Sequence, residues 1–229
     1  MRFNLLQYSL MVKVTLNQPL LVLLYGFPGS GKTYFARQLA EDLSSAHVHS
    51  DRIRFELFEK PRYDRQENGI VTQLMKYMTE EFLSAGLNVI YDMNAMRKGQ
   101  RAALREMARK KGAKTIVVWF QMDADTAYAR ASNRDRRKAD DKYALQYSHE
   151  SFKRYISHMQ HPELEDYVVV SGKHTYPSQQ TAFFKKMLEL GYVNTERVQD
   201  KVAMPGLINL VPRMTNGRVD MSRRNISIR

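Results

Sequence analysis

The sequence predicts an α/β fold in which helices cover both faces of a parallel β-sheet. Short apolar runs alternate along the chain with amphipathic segments of ten or more residues, which is the pattern of a parallel sheet with crossover helices. A glycine-rich turn follows directly after the first apolar run, residues 20–25. At 229 residues, 43% of them apolar, the chain can build one domain with a full core, with or without appendages.

Each element is predicted from its own local pattern. Runs rich in β-branched, aromatic or other apolar residues predict strands at residues 20–25, 88–91, 115–120 and 167–170, with a weaker candidate at 47–50. Apolar residues at spacings of three and four predict helices at residues 33–43, 52–58, 67–85, 98–111, 123–133, 150–159 and 178–190. Glycines at positions 86, 112 and 191 stand where helix C-caps belong. Residues 12–16 alternate apolar and polar and suggest a short edge strand.

The glycine-rich turn reads Gly26-x-x-x-x-Gly31-Lys32-Thr33, which is the phosphate-binding loop pattern, or P-loop. Glycines let successive backbone N–H groups point at phosphate oxygens. Lys32 adds a charge for the β- and γ-phosphates, and the Thr33 hydroxyl can ligate Mg²⁺. The predicted cofactors are therefore ATP and Mg²⁺, and the predicted nucleotide-binding residues of this loop are Gly26, Gly29, Ser30, Gly31, Lys32 and Thr33.

Two carboxylates follow predicted strands, and ligands of open parallel sheets lie beyond the carboxyl ends of the strands. Asp51 is a candidate general base for a substrate hydroxyl, and Arg54, one helical turn later, could hold a substrate phosphate or carboxylate. A helix cap and an ordinary surface arginine are the alternative. Asp92 could orient Mg²⁺ through water or hold substrate, or it could be a turn carboxylate; Asn94 is a further substrate-binding candidate.

An arginine-rich segment follows the fourth strand and its helix. Arg130 is predicted to bind ATP, and Arg134 and Arg137 are predicted to act in catalysis, because a mobile arginine-rich segment can close over ATP and stabilise the transferred phosphoryl group. Arg136 lies in the same segment. Because aspartates occur in the same segment, the alternative is that it forms a solvated charged loop without a role at the nucleotide.

A second basic group follows Asn94. Arg97 and Arg101 are predicted to contact a substrate phosphate, with Lys98 between them; a charged start to the next helix is the alternative. His149, His158 and His161 show no metal-ligand spacing and are interpreted as surface or packing residues.

The composition of the chain indicates which classes of binding partner to expect. The net charge of +12 favours polyanions such as nucleic acid or nucleotides, although solubility alone could account for it. The chain has no cysteine, which excludes disulfides and thiolate metal sites and agrees with a cytoplasmic location. No apolar run is long enough for a membrane span, so no membrane partner is expected. The predicted organisation is an N-terminal extension (1–19), a P-loop domain (20–192) and a basic, flexible tail (193–229), and Met11 is an alternative start.

With these residues in view, the chain resembles the small P-loop kinases of the zeta-toxin, chloramphenicol-phosphotransferase and polynucleotide-kinase group, often described as AAA-domain ATP-binding proteins. The matching pieces are residues 26–33, Asp51 with Arg54, residues 89–92, Asn94, Arg101, and Arg130 with Arg134. The resemblance implies a three-layer P-loop NTPase domain with a parallel, nucleoside-kinase-like sheet and an arginine-rich lid. It also implies that Asp51 is the base, that Arg54 binds substrate and that the lid arginines clamp ATP. Polynucleotide-kinase members usually carry Asp-x-Thr-Asn where this chain has the shorter Asp92-Met93-Asn94.

The expected activity is transfer of the γ-phosphate of Mg-ATP to a hydroxyl acceptor, either a polynucleotide 5′-hydroxyl or a small metabolite. The alternative is a nucleotide-binding regulatory ATPase without a dedicated acceptor, which would not need a base at Asp51. A GTPase is disfavoured because the sequence has no Asn-Lys-x-Asp motif, and an ABC ATPase because it has no Leu-Ser-Gly-Gly signature. The acceptor and the oligomeric state stay open at this point.

Overall fold

The structure, a computed structural model, describes residues 16–135, 137, 142–193, 214–215 and 218–219. The chain divides into two compact units, residues 1–194 and 195–229. The strands of the first unit are β1 (Leu20–Gly26), β2 (Ala46–His49), β3 (Val89–Asn94), β4 (Lys114–Gln121) and β5 (Tyr167–Ser171). Its helices are α1 (Lys32–Leu43), α2 (Ser50–Leu57), α3 (Arg65–Ser84), α4 (Lys98–Lys110), α5 (Ala124–Ser132), α6 (His149–Ser157) and α7 (Tyr176–Glu189).

The five strands form one sheet in the order β2-β3-β1-β4-β5, and every neighbouring pair is parallel. The predicted α/β fold with a parallel sheet is confirmed. Strand β1 lies at the centre, and all its residues are buried because helices cover both faces. The carboxyl ends of β1, β2 and β3 therefore meet at one edge of the sheet, where Asp51 and Asp92 follow or end their strands.

Alternation along β1 divides the core into two layers. Leu21, Leu23 and Tyr25 pack in one cluster with buried residues of α3 and α4, such as Met75 and Leu104. Successive residues of a pleated strand send their side chains to opposite faces of the sheet, so one short strand can pack against two separate helix layers. The result is the three-layer arrangement of helix, sheet and helix.

The opposite layer is aromatic. The ring of Phe35 on α1 lies 5.3 Å from that of Phe120 on β4 and 6.2 Å from that of Phe183 on α7, both edge-on. Phe35 and Phe183 are fully buried. These contacts fix α1, and with it the preceding P-loop, against the sheet.

Strand β3 is longer than predicted and contains Asp92. Its pairing with β1 shifts between Leu23 and Leu24, so that Leu24 pairs with Asn94. Two residues of β3, Asp92 and Met93, thus lie between consecutive pairs with β1, and such an irregularity redirects the side chains beyond it. On the other side of β3, Asp92 stands directly opposite His49 of β2.

Most residues of the predicted N-terminal edge strand and of the predicted C-terminal tail lie outside the described part of the chain. Leu16 forms an isolated antiparallel bridge with Val193, whereas the rest of the predicted edge strand lies outside the described residues. In the second unit the structure describes a two-stranded antiparallel pair, β6 (Met214–Thr215) and β7 (Arg218–Val219). The other residues of the predicted flexible tail from 194 onward lie outside the described part. None of the described helices has both the length and the apolar character needed to cross a bilayer.

Candidate active site

The P-loop connects β1 to α1 and leaves the start of that helix open. Gly31 is the N-cap residue of α1, with a left-handed φ of 90°, and as a glycine it has no side chain to cap the helix. The first turn of α1 also contains no acidic residue. The first backbone N–H groups of a helix have no partners within the helix, and its dipole favours an anion there. This helix start can therefore bind phosphate oxygens.

Two glycines are required by close packing around this loop. A Cβ atom on Gly29 would lie 2.3 Å from the carbonyl oxygen of Ala127 on α5, and the φ of Gly29 is +83°. A Cβ atom on Gly172, just after β5, would lie 2.7 Å from the carbonyl oxygen of Ser30. Neither position accepts a side chain without movement of the backbone. The backbone of α5 and the residue after β5 therefore pack directly against the backbone of the P-loop.

The Lys32 ammonium group lies inside the loop. Its Nζ donates to the carbonyl oxygens of Gly26 at 2.9 Å and Phe27 at 2.7 Å. Burial lowers the pKa of Lys32 to about 7; Asp92 and Asp51 oppose this shift and Arg134 adds to it. A phosphate placed beside Nζ would favour the charged form and raise the pKa again.

Asp51 lies in the first turn of α2, immediately after β2, and is half-buried. Burial raises the pKa of this carboxyl group, and the negative charge of Asp92 raises it further, whereas His49, Arg134 and Arg54 lower it. A carboxylate with a raised pKa binds a proton more readily near neutral pH, as a general base must. The chemistry of Asp51 agrees with the predicted role, which stays a prediction.

Asp92 of β3 is buried between the P-loop helix α1 and strand β2. Its Oδ1 accepts from the Thr33 hydroxyl at 3.4 Å, and its Oδ2 lies 3.0 Å from His47 Nε2 and 3.8 Å from His49 Nε2. Burial alone would raise the pKa of Asp92, but His49, His47 and Lys32 together lower it, so the carboxylate is charged. Thr33 and Asp92 provide oxygen ligands of the kind Mg²⁺ prefers.

These groups line one cleft of about 1620 Å³. The P-loop, α5 and residues 172–174 form one part of its wall, and α2, the start of α3, residues 92–100 and α6 form another. A cavity of this size can hold a nucleotide and a second molecule together.

Arg54 lies in the cleft wall but is already engaged. It is buried, its Nη1 lies 3.3 Å from Glu67 Oε2, and its Nη2 donates to Asn68 Oδ1 at 2.6 Å. Glu67 also accepts from the backbone N–H groups of Arg62 and Tyr63 at 2.8–3.0 Å. The structure therefore adds a fixed carboxylate beneath Arg54, and the Nε atom of Arg54 has no hydrogen-bond partner among the described residues.

The arginines of the predicted lid occupy different places. Arg130 lines the cleft and donates to the carbonyl oxygen of Gly172 at 2.9 Å. Arg134 also lines the cleft and interacts electrostatically with Lys32. Arg137, by contrast, is exposed outside the cleft, with Nε 3.0 Å from Asp135 Oδ1, and its predicted catalytic role stays a prediction. Arg136 lies outside the described residues.

Arg101, which is also predicted to contact substrate, lies apart from the other substrate candidates, and its role stays a prediction. Its side chain is fully buried, with Nε 2.7 Å from Glu165 Oε1 and Nη1 donating to the carbonyl oxygen of Ala95 at 2.7 Å. It does not line the cleft. The sequence pattern predicts a substrate contact from the charge of Arg101 near Asn94, but the residue lies one turn into α4 on the face toward the sheet, where Glu165 compensates its charge.

The neighbouring candidates differ from Arg101. Arg97 is exposed at the N-cap of α4 and lines the cleft, so its predicted substrate role stays a prediction. Asn94 lines the cleft as well, but its Oδ1 accepts from the backbone N–H of Gly26 at 3.2 Å. That oxygen thus supports the start of the P-loop.

Two groups of side chains in or beside the site are not predicted by the sequence patterns. Residues 47–50 predict only a weak strand, although His47 and His49 occupy alternate positions of it and alternate positions of a strand point to the same side. Tyr147, Arg154 and Tyr155 reach the cleft from the segment around α6. No local signal marks this second group, because its position depends on how α6 packs.

Comparisons with known proteins agree with this architecture. The family model of the AAA domain matches residues 21–162, more than half of the chain. No protein of curated function matches the chain.

Several solved structures have the same fold. A gluconokinase from Sinorhizobium meliloti is 15% identical, with a TM-score of 0.55 over 81% of this chain and 97% of its own. The Mycobacterium tuberculosis APS kinase CysC, in complex with AMPPNP and APS, is 16% identical, with a TM-score of 0.54 over 75% and 98%. Chaetomium thermophilum Kti12, in complex with ADP-AlF3, is 18% identical, with a TM-score of 0.57 over 77% and 100%. At these identities the likeness establishes the fold alone.

Proposed function

The chain belongs to the AAA-domain family of P-loop proteins, and from that membership we propose that it is an ATP-dependent kinase that transfers the γ-phosphate of Mg-ATP to a hydroxyl acceptor. The P-loop would hold the phosphates through backbone N–H groups and Lys32, and Arg130 and Arg134 would contact the nucleotide from α5 and the segment after it. Thr33 and Asp92 would hold Mg²⁺, which supplies charge neutralisation for the β- and γ-phosphates.

The observation that carries this proposal is the position and environment of Asp51. Its half-buried carboxylate lines the same cleft as Lys32 and interacts electrostatically with it. Its pKa is raised by burial, which suits a base that takes a proton from a hydroxyl group. An ATPase that only switches between nucleotide states has no need of such a group.

The cleft lining favours an anionic acceptor, such as the 5′ end of a polynucleotide, over a neutral metabolite. Arg65, Arg97 and Arg154 line the cleft on the elements around Asp51. Tyr147 and Tyr155 add aromatic rings, 5.6 Å apart, on which a base could stack. Guanidinium groups suit bidentate contacts with phosphate.

One observation favours the regulatory ATPase as a second candidate. Arg54, the expected substrate ligand, is buried and bound to Glu67 and Asn68. If the protein is a kinase, Arg54 would contact the acceptor only through the N–H groups that Glu67 and Asn68 leave unused, whereas in a regulatory ATPase its role would be to support α2 and α3.

A transfer screen separates the two candidates. The protein would be incubated with γ-labelled Mg-ATP and pools of RNA and DNA oligonucleotides with 5′-hydroxyl ends, nucleosides and metabolites. The kinase proposal expects label on one pool, 5′-hydroxyl oligonucleotides first, and transfer that is lower by roughly 10²–10⁴-fold in Asp51→Asn. ATP hydrolysis that is unaffected by every pool and by Asp51→Asn would contradict it and favour the regulatory ATPase.

A further inference from the structure

We propose that His47, His49 and Asp92 form a binding site for a divalent first-row transition-metal ion, distinct from the Mg²⁺ of the nucleotide. Among the residues that the structure describes, these three are the group of histidine and acidic side chains whose ligand atoms lie within 4.8 Å of one another. Two imidazoles and one carboxylate are a ligand set typical of metals such as Mn²⁺, Fe²⁺, Co²⁺ and Zn²⁺.

The sheet itself brings the three side chains together. His47 and His49 occupy alternate positions of β2, so both side chains project to one side of the strand. Strand β3 runs parallel beside it, and Asp92 pairs directly with His49. The backbone therefore holds the ligands before any ion binds, which reduces the entropy lost on binding.

The side-chain geometry suits one ion. Both Nε2 atoms point at the same oxygen, Asp92 Oδ2, at 3.0 Å from His47 and 3.8 Å from His49. The imidazole rings lie parallel, with centroids 5.4 Å apart and planes at 4°. Adjacent ligands bonded to one metal at about 2.0–2.1 Å lie about 3.0–3.4 Å from each other, so only small side-chain rotations are needed.

A simple hydrogen-bonded pair does not account for the second histidine. His47 Nε2 is at hydrogen-bond distance from Asp92, but 3.8 Å is too long for a hydrogen bond from His49. His49 nevertheless directs its Nε2 at the same oxygen. Such convergence is what a shared ion requires.

The donor set also distinguishes this ion from Mg²⁺. Mg²⁺ prefers oxygen ligands and retains water, whereas imidazole nitrogen suits the later metals. Asp92 would use Oδ2 for the transition metal, while Oδ1 stays beside the Thr33 hydroxyl at 3.4 Å. Three protein ligands leave further coordination positions for water or for a molecule in the cleft, which His49 and Asp92 line.

Metal binding here requires neither nucleotide nor acceptor, so the protein alone can test it. Untagged protein would be titrated with Co²⁺, and binding followed by the visible absorption of the ion and by calorimetry. The chain has no cysteine, so thiolate ligands cannot contribute. We expect one Co²⁺ per chain, and at least ~100-fold weaker binding in His47→Gln/His49→Gln.

A matched control removes the same number of imidazoles elsewhere. His149→Gln/His174→Gln replaces two exposed histidines and should bind Co²⁺ like the wild type. Equal affinity in both double variants, or no saturable Co²⁺ binding to the wild type, would overturn the proposal.

Wild-type protein provides a test that does not depend on the variants folding. Substoichiometric Zn²⁺, which suits imidazole nitrogen better than the oxygen ligands of the Mg²⁺ site, should shift the ring signals of two of the six histidines in imidazole-selective NMR spectra. Equal shifts of all six, or a shift of none, would contradict a site at His47 and His49.

Discussion

At the scale of single residues, the cleft contains ionisable groups whose environments alter their chemistry. Lys32 and Asp51 experience opposite consequences of the same burial: the pKa of the amine falls to about 7, and the pKa of the carboxyl group rises. Both shifts disfavour charge in a site of low dielectric constant. Nucleotide binding and phosphoryl transfer should therefore depend on pH in ways that identify each residue.

We expect the binding of Mg-ADP to take up protons above pH 7. In the protein without nucleotide, Lys32 has a pKa of about 7. A bound phosphate raises this pKa, so an amine that is neutral before binding must gain a proton when the nucleotide binds. Affinity should then fall as pH rises from 7, by at most about tenfold per pH unit. Calorimetry at pH 8 in buffers of different ionisation enthalpy measures the uptake, expected to approach one proton.

Lys32→Arg is the matched control for that measurement. A guanidinium group stays charged at all these pH values, so this variant should take up no proton, whatever its affinity. Equal proton uptake by the variant and the wild type would assign the titration to another group.

Asp51→Asn should keep Mg-ATP affinity and lower phosphoryl transfer by roughly 10²–10⁴-fold, because an amide of the same shape cannot accept a proton. In the wild type, transfer should rise with pH as Asp51 loses its proton. Since its pKa is raised, this rise should occur above the usual range of an aspartate. The profile of kcat/KM against pH measures it with the acceptor found in the screen, and the same rise in Asp51→Asn would exclude Asp51 as its source.

At the scale of elements, the segment after α5 places two arginines with the same predicted role in different environments. Arg134 lines the cleft and interacts electrostatically with Lys32 and Asp51. Arg137, only three residues later, is exposed and paired with Asp135. The two guanidinium groups therefore differ in position, although both belong to the same arginine-rich segment.

Arg134→Ala should therefore lower ATP turnover by roughly 10²-fold, the scale of one transition-state contact, with a smaller effect on Mg-ADP affinity. Arg137→Ala serves as the neighbouring control and should retain most of the turnover. Steady-state kinetics and ADP titrations of both variants measure the difference. A loss of turnover in Arg137→Ala as large as in Arg134→Ala would mean that the segment closes over the nucleotide during the reaction.

At the scale of the first compact unit, buried charge joins distant parts of the fold. Arg101 of α4 and Glu165, just before β5, are both almost inaccessible and pair at 2.7 Å. Arg105 pairs with the other oxygen of the same carboxylate. Removing one partner of such a pair leaves an uncompensated buried charge, which costs more than the pair itself contributes.

Glu165→Gln should thus destabilise the protein by about 3–5 kcal/mol, as estimated for a broken buried ion pair. Urea unfolding of the full chain measures the change. Glu106→Gln removes an exposed carboxylate that pairs with Arg109 on the same helix, and it should leave the unfolding midpoint nearly unchanged. Equal midpoints for both variants would show that the Arg101–Glu165 pair contributes no more than a surface contact.

Much of the fold could be predicted from local patterns. Strand β1, the P-loop and α1 were visible as an apolar run, glycines at fixed spacing and a helical period, because these features depend on neighbouring residues. Their order also predicted that Asp51 and Asp92 approach one edge of a parallel sheet. The alternation of His47 and His49 was visible too, but its meaning requires knowledge of which strand lies beside β2.

Local sequence patterns are sufficient to predict the parallel α/β class and the phosphate-binding loop, since backbone conformation and hydrophobic period are local properties. The position and pairing of each charged side chain, by contrast, follow from the tertiary structure. Arg101 and Arg97 have the same formal charge four residues apart, yet one is buried against Glu165 and the other lines the cleft. Desolvation and pairing depend on groups distant in the chain, so packing, and not residue type, assigned Arg101 to stability and brought His47 to Asp92.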